Sequence, residues 1–456
     1  MPPLSISRTE EIALKHLSSR GRKRRPIWPL YVLAGIAVVL AVLALIKTVD
    51  VLDIFGDKAT EPTVAASTAP TAPITQPPDE ARLRAELLAE CRALVDGYFY
   101  EEAISALSTM PYKNAETDAL LQEARGLKDG LVLYEDEQLY HIFFHSLVID
   151  NAKAFDGDQR AQGYNEYMTT RYEFERMLPL LLEGGFVLYD IKEMVEFTDG
   201  VAARKEIRLP PGKKPLVISI DDVCYYDYME TDGFASRLDV DADGNVVTIV
   251  KDDDGTERAT YDGDVMPILD AFVREHPEFS WRGYKGIVAV TGYQGAYGYR
   301  ITDLDQFDAE TGKKMQDKVL EISNALRATG WDVACHSYTH NQYWTKGTIS
   351  EEQFNKYEKR WDEEMAPYLG EVSIFISPNG AYANLGKNHW AIRRLVESGY
   401  VIYCPVGSGM QTSYQGDFML QDRMNLDGLN LVLYPERVKK FFFDPSLVVD
   451  PDRPPF

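Results

Sequence analysis

The chain has 456 residues, 45% hydrophobic and 26% charged, with 48 basic side chains against 71 acidic ones and a formal charge of −23. This composition is globular rather than disordered, is long enough for two or three domains, and is too acidic for nucleic acid to be the main partner, because phosphate binding needs clustered Lys and Arg. The four cysteines at 91, 224, 335 and 404 show no CxxC or other zinc-ligand spacing and are too few for a disulfide-stapled scaffold.

The first predicted element is a membrane span. From 27 to 46 the chain reads IWPLYVLAGIAVVLAVLALI, twenty residues without a formal charge, about the helix length that crosses a hydrocarbon core. No small-residue cleavage pattern follows it, so it reads as an uncleaved transmembrane helix rather than a signal peptide. Residues 1–26 form a basic tail, with Arg8, Lys15, Arg20, Arg22, Lys23, Arg24 and Arg25 against Glu10 and Glu11. The positive-inside rule keeps that tail cytoplasmic and predicts a single-pass protein of the cell membrane with its catalytic bulk extracellular. The tail carries +5, so the remainder carries −28. Residues 47–78 are a linker, rich in Thr, Ala and Pro from 60 onward, which cannot bury a core.

From 79 to 130, apolar residues at Leu83, Leu87, Leu88, Cys91, Leu94 and Val95 recur at helical spacing. A second helix runs through Ala103, Ile104 and Leu107 to Pro111, and a third spans 119–127. GYFYEEAISAL is similar to one tetratricopeptide helix pair, but a solenoid needs about three such units, so a short helical stalk or packing element is expected.

Between 138 and 435, short apolar runs alternate with helical patterns, which is the signature of βαβ units. HIFFHSLVI, PLVISI, GIVAV, WDVACHS, VSIFISP and YVIYCPV predict strands. FERMLPLLLEGGF, VMPILDAFVREH, KVLEISNALRATG, EEQFNKYEKRWDEEMAPYL and NHWAIRRLVESG predict helices between them. The α/β alternation favours a barrel of parallel strands or a doubly wound sheet, and either places functional groups at strand C-termini. An insertion at 233–263 alternates apolar and polar residues around two Asp-Gly turns and predicts a β-hairpin or small meander. It opens like a calcium loop, with Asp239, Asp241, Asp243 and Gly244, but the twelfth position is Val250 where a bidentate Glu is required. Residues 436–456 form a C-terminal tail.

Two motifs fall at strand ends: Asp221 and Asp222 after PLVISI, and His336 with His340 after WDVAC. Two neutral imidazoles and one carboxylate form a set that holds a divalent metal, zinc as the first choice, and leaves positions open for water and substrate. The remaining aspartate, beside the metal but pointing differently, can take a proton from the attacking water.

These residues resemble the polysaccharide deacetylases (NodB homology domain, carbohydrate esterase family four). PLVISIDDV resembles their first motif, usually TFDDG, and HSYTH their second, while FISPNGAY sits where the family has FRPPYG. HIFFHSLVID resembles the YHxV strand of exported members, and the likeness runs from about Tyr140 to Tyr434. The resemblance implies a distorted (β/α) barrel that removes acetyl groups from N-acetylglucosamine units of a polysaccharide, peptidoglycan or a secreted glucosamine polymer. It assigns Asp221 as general base and Asp222, His336 and His340 as metal ligands.

The third motif departs from the family pattern. Pro378 and Gly380 match it, but its base-orienting Arg is Ile376 and its oxyanion-shaping Tyr is Asn379. Arg300 and Arg423 are the candidates to replace that Arg. The family's late general-acid His has no counterpart after His389, and His145, matching the YHxV histidine, is the substitute considered, against a packing role. Cys224 and Cys335 lie close enough to the site residues to pair in an oxidising exterior. TGYQGAYGYR places Tyr293, Tyr297 and Tyr299 among glycines, which suits either a sugar-stacking loop or ordinary aromatic packing. A catalytically silent glycan-binding relative and a tethered assembly protein acting through its helical segment are the alternative readings.

Overall fold

Short β-branched and aromatic runs alternate here with amphipathic stretches that follow a capping residue, and each becomes the element its pattern favours. The computed structural model describes residues 80–456 apart from 342, 382–385 and 387, so the apolar run at 27–46 and the linker lie outside the described residues. Among the described residues no helix is long and apolar enough to cross a membrane.

Helices α1 (Glu80–Asp96), α2 (Tyr100–Thr109) and α3 (Ala115–Asp129) come first, the last entered through an Asn114 capping box. Ala103, Leu107, Leu120 and Ala124 bury their shared face, and the same cluster takes in Val187 and Trp281 from the following segment. The Tyr98 and Trp281 ring centres lie 4.9 Å apart, and the Tyr98 hydroxyl donates to the Glu278 carbonyl at 2.7 Å. The three helices are therefore packed onto the domain that follows them.

That domain is a mixed α/β unit with a central, mostly parallel sheet. Its strands are β1 (Tyr140–Phe144), β2 (Phe186–Leu188), β3 (Lys214–Ile220), then, after an insertion made of β4 (Arg237–Val240), β5 (Val246–Lys251) and β6 (Glu257–Thr260), β7 (Gly286–Val290), β8 (Trp331–Cys335), β9 (Ile374–Ile376), β10 (Ile402–Cys404), β11 (Thr412–Tyr414), β12 (Met419–Gln421) and β13 (Met424–Asn425). The hydrogen-bonded order is β11-β12-β10-β9-β8-β7-β3-β1-β13, with β2 also on β3, and only β11 runs antiparallel to its neighbour. The end strands β11 and β13 do not pair with each other. Residues 419–425 nevertheless serve both ends of the parallel array: β12 pairs with β10, Arg423 bridges to Val406, and β13 pairs with β1.

Alternation along the strands sorts the core into two faces. Ile142, Phe144, Leu216, Ile218, Val288, Val290 and Phe375 pack beneath α4 (Arg171–Glu183), α5 (Val265–Glu275), α6 (Ala309–Ala328), α7 (Glu351–Arg360) and α8 (Trp390–Glu397). Val217, Ile287, Ala289, Ala334, Ile374, Ile376, Ile402 and Cys404 point the other way and meet one another. Helix α6 returns to β8 through Gly330 (φ +97), where a Cβ would stand 1.9 Å from the Gly283 carbonyl oxygen, so only glycine fits the turn.

Several expectations shift in detail. The first strand stops at Phe144, which leaves His145 just beyond it. The helix predicted over 351–369 carries a π turn at Trp361–Met365. The insertion is a three-stranded antiparallel meander, and Asp241 accepts the amides of Asp243 and Asn245 within its own turn. The cysteines at 224 and 335 are not joined, since all four cysteines are buried free thiols; Cys224 instead bonds Thr291.

The C-terminal tail is clamped by a buried ion pair. Arg453 donates to Glu173 Oε1 at 2.8 Å and Oε2 at 2.7 Å, and to the Asn165 and Met168 carbonyls, while Glu173 also completes the capping box of α4 with Thr170. Removing one partner of such a pair strands the other charge in the core. Arg453→Ala is therefore expected to cost about 3–5 kcal/mol in denaturant unfolding, whereas a loss under about 0.5 kcal/mol, the usual effect of a surface change, would show the tail to be a surface attachment.

Candidate active site

Strand hydrogen bonding continues past the strand ends and fixes where the functional side chains begin. The Asp221 amide donates to the Phe144 carbonyl at 2.8 Å, that of His336 to Val290 at 2.9 Å, and that of Ser377 to Cys404 at 3.1 Å. One residue further on, or two after Ser377, the backbone turns left-handed at Asp222 (φ +57), Ser337 (φ +63) and Asn379 (φ +53). Non-glycine residues rarely adopt that conformation, and it persists only where the surroundings enforce it.

The turn at Asp222 corrects one expectation. Strand alternation would send neighbouring aspartates to opposite sides, yet Asp221 Oδ2 and Asp222 Oδ1 each lie 3.9 Å from His336 Nε2. Asp222 Oδ2 lies 4.0 Å from His340 Nε2. One ligand atom from each of Asp222, His336 and His340 falls within 4.8 Å of the others.

The donor set fits a divalent cation. The Nδ1–H of His336 donates to the Ile376 carbonyl at 2.8 Å, which leaves the Nε2 lone pair facing the carboxylates. Burial also pushes its pKa down, in the direction of the neutral form that a metal ligand needs. Burial raises the Asp222 carboxyl, but the nearby imidazoles of His340, His336 and His145 outweigh it and hold the group below its ordinary value. The Tyr226 hydroxyl donates to Asp222 Oδ1 at 2.6 Å and fixes the carboxylate plane.

Asp221 is held differently. Arg423 grips it with both arms of its fork, at 2.6 Å to Oδ1 and 3.0 Å to Oδ2, and both side chains are buried. Burial alone would raise this carboxyl; the guanidinium and His336 overcome that and hold it down at about 2. Arg423 also donates to Ser219 Oγ at 3.2 Å, which lies 2.9 Å from His141 Nε2, while His141 Nδ1 lies 3.3 Å from Gln421 Oε1. Of the two arginines considered, the structure thus brings Arg423 to the aspartate. Arg300 lies elsewhere and bonds Asp227 and the carbonyls of Cys224, Tyr225 and Gln294.

His145 is half-buried and near enough to Asp221, Asp222 and Asp427 to act electrostatically on their carboxyl groups. Its Nδ1 is buried without a hydrogen-bond partner. Pro378 is buried at the start of a 3-10 turn, and the Asn379 amide donates to His340 Nε2 at 3.4 Å. Ile376 has its side chain in the core, but its carbonyl holds His336.

Sequence reasoning missed Tyr226, Ser219, His141 and Asp427. Tyr226 follows Asp222 by four residues in an aromatic run, a usable signal; Asp427 reaches His145 only through the fold. Burial raises the Asp427 carboxyl, which accepts from Asn425 at 2.6 Å and from the Asn430 amide at 3.0 Å.

The chain matches no family model and no curated protein. Among solved structures it is similar to the BpsB deacetylase domain from Bordetella bronchiseptica, at 10% identity over 48% of this chain and 74% of that one, with a TM-score of 0.25.

Two outcomes follow from the geometry. Purified protein equilibrated with zinc should carry one ion by elemental analysis, and His340→Ala should lose it; full occupancy in that variant would remove His340 from the site. Arg423→Met leaves a buried carboxylate without its cation, which should cost about 3–5 kcal/mol at pH 7. Because the Asp221 pKa is depressed, the stability it contributes is present above the unfolded value near 4 and is lost as pH falls toward 2. The gap between Arg423→Met and the parent protein should therefore narrow on acidification, read from unfolding curves at pH 7 and pH 3.5.

Proposed function

We propose that the protein is a metal-dependent N-deacetylase that removes acetyl groups from N-acetylglucosamine units of a cell-wall or extracellular polysaccharide. The observation that carries this reading is the juxtaposition of a two-imidazole, one-carboxylate ligand set with a second carboxylate, separately charge-paired, facing the same imidazole. The sequence resemblance supplies the substrate class.

A divalent ion such as zinc, held by Asp222, His336 and His340, supplies Lewis acidity toward the acetamide carbonyl and lowers the pKa of water. Asp221, ionised and gripped by Arg423, takes the proton of the attacking water on Oδ2, the oxygen that faces His336. Asn379, whose backbone N–H lies 3.4 Å from His340 Nε2, and Pro378 at the start of the same turn border the substrate side of the site. His145 returns a proton to the departing amine nitrogen, so that water and amide become acetate and free amine. Arg423 takes the part of the family's base-orienting arginine from the link between β12 and β13.

The finer architecture is read as a distorted (β/α) barrel. Its support is the face of Val217, Ala289, Ala334, Ile376 and Cys404, which packs on itself, together with residues 419–425, which pair with β10 and with β1. The cellular setting follows from the uncharged run at 27–46 behind its basic flank: a single-pass anchor with the catalytic domain outside. External protease on intact cells should then release the domain by cutting the linker at 47–78; protection until lysis would reverse the orientation.

Acetate release from N-acetylglucosamine oligomers, with and without chelator, tests the activity. Asp221→Asn should keep the ion and lose about 10²–10⁴-fold in turnover, whereas Asp222→Asn should lose both. Release that persists in chelator, or none from the zinc-loaded protein, would overturn the reading.

A further inference from the structure

Beside the ligand set lies an aromatic group that the chemistry above does not use. Tyr226, whose hydroxyl holds Asp222, is buried; Tyr228 stacks on it with ring centres 5.5 Å apart and planes 12° apart, and Tyr293 lies against it at 5.8 Å. Tyr228 is 42% exposed and Tyr293 54% exposed. Of the three tyrosines in TGYQGAYGYR, only Tyr293 is open to solvent, since Tyr297 is fully buried with its hydroxyl 3.2 Å from Ser323 and Tyr299 is half-buried.

The exposed rings are held rigidly. Arg300 binds the carbonyls of Cys224 and Tyr225 on one loop and of Gln294 on the other, at 2.7–3.1 Å, and also takes the Asp227 carboxylate. The Asp227 amide donates to Gln294 Oε1 at 2.9 Å, and the Tyr297 amide to the Val223 carbonyl at 2.9 Å. Tyr225 (φ +50) and Gln294 (φ +59) are kept left-handed within these loops. An isolated exposed tyrosine needs no explanation, but a braced pair rooted on a metal ligand is a pre-organised surface that orders little on binding.

We propose that Tyr293, backed by the Tyr226–Tyr228 stack, forms a platform for a pyranose ring of the glycan, one sugar removed from the unit being deacetylated; this rests on the deacetylase reading. A pyranose presents C–H bonds on its face and hydroxyls on its rim, which matches an open phenol face with a polar edge. The nearby cation is already engaged, Arg160 lying over the Tyr228 ring at 5.3 Å and pairing with Asp232 at 3.5 Å, so the surface suits a neutral ligand. Because Tyr226 lies between the platform and Asp222, the stacked ring belongs to a neighbouring sugar, and chain length should set affinity.

Calorimetric titration of the zinc-loaded full chain with N-acetylglucosamine monomer and pentamer tests this. The pentamer should bind more tightly than the monomer; Tyr293→Leu should weaken it by about tenfold, and Tyr293→Phe should restore it. Thermal melting and zinc content report folding in each variant. Equal pentamer affinity in the Leu variant, or a monomer bound as tightly as the pentamer, overturns the platform. Binding with this pattern but without acetate release leaves the platform standing and removes the deacetylase reading; acetate release with unchanged affinity in Tyr293→Leu does the reverse.

Discussion

The buried fork between Arg423 and Asp221 is the constraint around which the site is arranged. A carboxylate taken out of water needs a charge partner and filled hydrogen-bond positions, or it protonates. Arg423 supplies both, and because its own burial carries a similar cost, Ser219 and the Phe143 ring, 4.2 Å from the guanidinium carbon, must surround it. These requirements fix β1, β3 and residues 419–425 against each other, since each contributes one side of the cage. With Asp221 committed to Arg423, Asp222 is the carboxylate left to complete the imidazole pair.

The second constraint is backbone conformation. Three loops leave the sheet through left-handed residues, and none of the three is glycine. At Asp222 the consequence is chemical: the side chain swings to the same side as its neighbour, and two carboxylates meet one imidazole. The conformational cost is held by surrounding contacts, among them the hydroxyl of Tyr226 and the Val223 amide bonded to Ala289.

The alternation of strands and helices was legible because each run carries a clear period and a cap or turn residue. The two histidines and two aspartates were legible as a group because each pair follows an apolar run. The choice between Arg300 and Arg423 was not, because both are arginines in loop-like sequence and only strand order brings one of them to the aspartate. Alternation also misjudged the Asp221–Asp222 step, since a single left-handed residue reverses the side-chain direction and leaves no mark in composition. His141 and Ser219 read as ordinary strand residues; their partnership exists only once β1 and β3 pair in register, His141 opposite Val217.

Arg423 lies 202 residues after the aspartate it grips. Loop closure on that scale is slow and entropically unfavourable, so the contact belongs to the last events of assembly rather than the first. A chain emerging from its N-terminus exposes both aspartates and both histidines long before residues 419–425 arrive to complete the array. The topology therefore makes the charge pair a late product of the fold: the candidate metal ligands lie between residues 222 and 340, but the cation that orients Asp221 comes only with residues 419–425.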